Sequence, residues 1–128
     1  LAKRHISLLV SIDESTPLNG PLEVAAGCHR QGILRNEAGV IAADLDASME
    51  YTPVLVRSGD IVLFDSYLPH RSGPNPSQGW RRSAYLTYNA AAEGDLHAAY
   101  YAKKKAAWKA GSGGTISINK DFGGKIVD

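Results

Sequence analysis

Two side chains eleven positions apart, His70 and Arg81, hold the clearest chemistry in this sequence. An imidazole nitrogen can ligate a metal ion, and a guanidinium can clamp a carboxylate through two parallel hydrogen bonds. The apolar run Ile61 to Phe64 delivers His70 into a Gly/Pro-rich turn, and Arg81 opens the next strand. On neighbouring strands, the pair could grip one small molecule that both chelates a metal and carries a second carboxylate. That reading expects both side chains to face a shared interior hollow.

Strand parity separates Arg81 from its neighbour. Alternation puts Arg81 on one face with Ser83, Tyr85 and Thr87, and Arg82 on the other with Ala84, Leu86 and Tyr88. A polar cavity wall favours the Arg81 face. A plain apolar-in rule buries the Ala84/Leu86 face instead, and the two are compatible if both faces are covered. Leu9 lies on the polar-parity face of its own strand and is expected to line the same cavity. Taken alone, His70 also fits a turn histidine bonded to a backbone carbonyl.

Three stretches resemble the distal half of the Fe(II)/2-oxoglutarate dioxygenases of the phytanoyl-CoA dioxygenase family. They are Val10 to Val24 with its Asn19-Gly20 turn, Gly27-Cys28-His29-Arg30, and Ser58 to Asn89. Cys28 stands where serine is usual, and the likeness covers residues 6–90. It implies a double-stranded β-helix and oxidative hydroxylation of a small organic substrate, with Fe(II) and 2-oxoglutarate as cofactors. His70 would be the distal metal ligand. Arg81 would hold the far carboxylate of 2-oxoglutarate, and Ser72 would add a weaker hydrogen bond to it. The stretch from Arg82 to Asn89 is reminiscent of bacterial members acting on small polar compounds such as aminophosphonates.

The family's other two ligands form a His-X-Asp or His-X-Glu motif, which this sequence lacks. His5 is followed by Ile6-Ser7, His29 by Arg30-Gln31, and His97 by Ala98-Ala99. The chain begins at Leu1 and enters a strand at once, so the motif is expected upstream in a longer protein. One ligand of three holds a ferrous ion weakly, because water fills the missing positions. The chain by itself is therefore expected to bind little or no iron and to be inactive.

Several elements must position these residues. Ile6, Leu8, Val10 and Ile12 alternate with Ser7, Leu9, Ser11 and Asp13, the period of a strand. Thr16 to Pro21 reads as a turn and Leu22 to Ala25 as a short strand. Residues 29–48 read as an irregular insertion or lid, with a helical turn near Ala42 to Ala47. Tyr51 to Arg57, interrupted by Pro53, reads as an edge strand. The almost wholly apolar Ile61 to Phe64 reads as a strand buried on both faces. Arg81 to Asn89 is the last strand, and a helix follows from Leu96 to Ala110 with Asp95 as N-cap. The expected fold is all-β, an incomplete jelly-roll or cupin-like double-stranded β-helix over residues 1–90. A C-terminal helix and tail, 91–128, are expected to pack on it.

Composition narrows the partners. A chain of 128 residues is one domain at most, and a formal charge of +1 argues against nucleic acid as its ligand. Lys103 to Lys105 reads as a solvated helix face. A single cysteine allows no internal disulfide and fits a reducing, cytoplasmic setting. No apolar run is long enough to cross a bilayer. Two rival readings share these features. One is a non-enzymatic cupin-like binding or assembly module, which would pair through exposed strand edges into a homo-oligomer. The other is a family member that binds chloride in place of the carboxylate, a halogenase.

Overall fold

The computed structural model describes residues 5–37 and 40–109. Its larger unit is built on two three-stranded antiparallel sheets. The first places β1 (His5–Ser11) between β6 (Ile61–Asp65) and β8 (Ser83–Asn89). The second places β2 (Leu22–Val24) between β5 (Thr52–Val54) and β7 (His70–Ser72). Between β2 and β5 run a 3-10 turn at Cys28–Gln31, a short β3/β4 hairpin (Asn36–Glu37 and Val40–Ile41) and helix α1 (Ala43–Ser48). A second helix, α2 (His97–Lys109), belongs to a separate compact unit, and the expected tail lies outside the described residues.

Register decides which side chains meet, because residues directly opposite in a ladder share a face. In the first sheet Leu9 stands opposite Val62 and Tyr85, and Ser11 opposite Ser83. In the second, Leu22 stands opposite Val54 and Ser72, and Val24 opposite His70. The two sets face each other across a small core of Leu9, Leu22 and Phe64, with Val24, Val54, Val62 and Leu68 packed around it. Leu9 is only 3% exposed, although it sits on the polar-parity face of β1. The mixed face therefore points inward.

The opposite, largely apolar face of the first sheet points out. Ile61 is 59% exposed and Leu63 65%, which corrects the expectation that β6 is buried on both faces. A continuous apolar run marks a strand covered on two sides only when some element covers the second side. None of the described residues up to 96 does so here. A second correction concerns Pro69 to Gly79. His70 sits not in a turn but on β7, recruited into the second sheet by pairing with β2. Pro53 takes its place in edge strand β5, as proline's missing N–H requires. The helix begins at His97, one residue later than expected. Among the described residues no helix is long and apolar enough to cross a membrane.

Candidate active site

Asp13 distinguishes the two neighbouring arginines. Its carboxylate accepts from the Arg82 backbone N–H at 2.8 Å and from the Arg82 guanidinium at 2.8 and 2.9 Å. The Arg82 carbonyl in turn accepts from the backbone of Ile12 and Asp13. These bonds from Arg82 hold the Asp13 carboxyl down to about 2. Arg82 is thus tied to the end of β1. Asp13 reads in the sequence as a mere strand-end residue. The signal that could have identified it is an acid at the end of one strand facing an Arg-Arg pair at the start of its antiparallel partner.

Arg81 turns the other way. It enters a hollow of about 10 Å³ between the sheets, lined also by Leu9, Ser15, Leu22, Val54 and Ser83. That volume is about one water molecule's. The Arg81 Nε is buried there and has no hydrogen-bond partner. A guanidinium N–H buried without an acceptor is costly, and an anion placed in the hollow would satisfy it. Burial raises Tyr85, while the positive charge of Arg81 pulls it the other way. The two residues thus share one electrostatic environment on the inner face.

His70 occupies a different cavity. It lines an open groove bounded by Ile33, Val40 and Ile41 on one side and by Tyr67 and Leu68 on the other. Its Nδ1 lies 2.8 Å from the Leu68 carbonyl. A carbonyl only accepts, so Nδ1 carries the proton and Nε2 of the neutral ring keeps its lone pair. This is the arrangement that orients a metal-binding imidazole. The ring also stands edge-on to Phe64, with centroids 5.2 Å apart. The expected shared hollow is therefore not present as one space. The core cluster of Leu9, Leu22 and Phe64 stands between the Arg81 hollow and the His70 groove. Ser72 shares the inward face, opposite Leu22, but is exposed and lines neither cavity. Among the described residues no three His, Cys, Asp or Glu side chains are gathered as a metal cage.

The connection from His70 to Arg81 is seated on the Asn19-Gly20 turn. Asn19 is buried, and its side-chain amide accepts from Thr16 N–H and donates to the Glu14 carbonyl. Gly20 has φ +69°, and a Cβ there would meet the carbonyl oxygens of Pro74 and Gly73 at 2.4 and 2.5 Å. Only glycine lets the chain leaving β7 settle against this turn.

The chain is a member of the phytanoyl-CoA dioxygenase (PhyH) family, whose profile matches residues 2–83. It is 41% identical over 104 residues to the methylphosphonate hydroxylase of Gimesia maris, and 38% identical over 104 residues to the 2-aminoethylphosphonate dioxygenase of an uncultured bacterium. Each match takes in 80% of this chain and 40% of the relative, so the chain spans well under half their length. Among solved structures it resembles EctD from S. alaskensis with 2-oxoglutarate and 5-hydroxyectoine. The TM-score is 0.59 and the identity 31%, covering 69% of this chain and 32% of that one.

Proposed function

We propose that this chain supplies the distal histidine and the cosubstrate clamp of an Fe(II)/2-oxoglutarate-dependent hydroxylase with a double-stranded β-helix fold. One observation carries the reading: the buried Arg81 Nε has no hydrogen-bond partner, while the adjacent arginine is paired with Asp13. Two relatives named for phosphonates support a small polar substrate. In the gene product that contains this chain, His70 Nε2 and two ligands from outside it would hold the iron. When bound, the iron supplies O₂ activation, coupling conversion of 2-oxoglutarate and O₂ to succinate and CO₂ with insertion of one oxygen atom into a substrate C–H bond.

The chain's own residues bind and orient. Arg81 would accept the distal carboxylate of 2-oxoglutarate as a two-pronged guest, and the apolar walls around it would exclude water and strengthen that pair. Because the hollow is only water-sized, the cosubstrate must displace Leu9, Leu22 or Val54 side chains as it enters. The Leu68 carbonyl fixes the ring of His70, which lines the groove where a substrate would lie.

The test is 2-oxoglutarate turnover with Fe(II) in the gene product that contains this chain. His70→Ala should lose iron, measured by metal content, and with it activity. Arg81→Ala should retain iron but need roughly a hundredfold more 2-oxoglutarate, the loss expected when a buried charged hydrogen-bond partner is removed. Wild-type behaviour in both variants would overturn the assignment.

A further inference from the structure

Arg71, next to the candidate ligand in β7, lies on the strand face opposite that of His70 and is engaged on several sides. Its Nε donates to Glu23 at 2.8 Å across the β2–β7 ladder, where the two residues are register partners. One terminal nitrogen donates to Asp46 on α1 at 3.2 Å. The guanidinium carbon lies 3.9 Å from the centre of the Tyr51 ring, and the Tyr51 hydroxyl donates to the other Asp46 oxygen at 2.7 Å. An isolated exposed ion pair fixes little. Here one planar cation meets two carboxylates and an aromatic face at once, a geometry that a flexible ammonium could not reproduce.

The placement of this cluster matters because Asp46 and Arg71 both line the His70 groove. Asp46 comes with α1, and Arg71 with the strand that bears His70. Their bond ties α1 to that strand. We propose that Arg71 is a specificity-setting positioning residue: through Asp46 it holds α1, and with it the groove lining at 40–46, at a fixed distance from His70 and so sets the width available to the substrate. This rests on the oxygenase reading for its consequence, though not for its geometry. Nε and one terminal nitrogen of Arg71 are already engaged by carboxylates.

Hydrogen exchange and steady-state kinetics on Arg71→Met, Arg71→Lys and Asp46→Asn test it. In Arg71→Met the α1 amides at 43–48 should exchange roughly tenfold faster, as a locally opened segment does, while β1 and β6 amides keep their wild-type rates. The substrate KM should rise with kcat and the 2-oxoglutarate KM unchanged, the pattern of lost uniform binding. Asp46→Asn should move both readouts the same way. Arg71→Lys should recover only part of either, because it keeps the charge and loses the fork. Unchanged exchange in α1, equal acceleration in β1 and β6, or an unmoved substrate KM would each overturn the proposal. Should the protein turn over no 2-oxoglutarate at all, that failure belongs to the oxygenase reading, and exchange in α1 decides the strap by itself.

Discussion

At the scale of single residues, two adjacent arginines have been given opposite lives by strand parity and one aspartate. Asp13 holds Arg82 outward through three hydrogen bonds, which leaves Arg81 pointing into the hollow. The pair has a pH signature. The Asp13 carboxyl is held down to about 2 by Arg82, below its ordinary value of 3.8. A depressed carboxylate adds stability that is fully present above the ordinary value and disappears as pH falls through the folded one. Asp13→Asn should therefore lower the melting temperature relative to wild type by a constant gap above about pH 4. That gap should close as the pH falls to about 2. Thermal melts across that range check it, and a gap that stays open at the acid end would show that Asp13 works by something other than charge. His70 makes a different point. Its bond to the Leu68 carbonyl is what a bland turn histidine would make, yet the same bond leaves the other ring nitrogen with a lone pair for a metal.

At the scale of elements, the outward face of the first sheet separates two neighbours on β6. Phe64 is 8% exposed and belongs to the core, whereas Leu63 points away from it. Phe64→Ala should cost about 3 kcal/mol in this chain, by lost burial and the cavity left behind. Leu63→Lys should stay within about 0.5 kcal/mol of wild type. Urea unfolding of the two variants checks the contrast, and a comparable loss for Leu63→Lys would mean that something buries that face. Much of the framework was legible in advance. The alternation from Ile6 to Asp13 marks β1 and the Asn19-Gly20 turn is where the sequence puts it, whereas β8 begins at Ser83, two residues later than the strand expected from Arg81. The misses share one cause. Which face of β1 and β6 is inside depends on what stacks upon the sheet, and no local pattern encodes that. Likewise β7 is three residues long and exists because β2 offers it an edge, so its pairing is invisible in the run from Pro69 to Gly79. The engagement of Arg71 by Glu23, Asp46 and Tyr51 joins positions far apart in sequence, and only the fold brings them together.

At the scale of the whole molecule, the described residues place Arg81 in a hollow between the two sheets and His70 in a separate groove, and they gather no three metal-ligating side chains. That division has a thermodynamic consequence. Metal binding stabilises a folded chain in proportion to the logarithm of free metal over its dissociation constant, so a site too weak to fill adds nothing. A ferrous ion held by one neutral imidazole and otherwise by water is such a site. Anaerobic Fe(II) at about tenfold over protein should therefore leave the melting temperature of this chain within about one degree of the metal-free value, and identical to that of His70→Ala under the same conditions. The arginine hollow is independent of the metal, so 2-oxoglutarate should still perturb the Tyr85 and Ser83 resonances in the absence of iron and fail to do so in Arg81→Ala. An Fe(II)-dependent stabilisation that His70→Ala abolishes would mean that this chain completes a metal site from residues not assigned to it here. The proposed sharing of ligands with a longer polypeptide would then have to be abandoned.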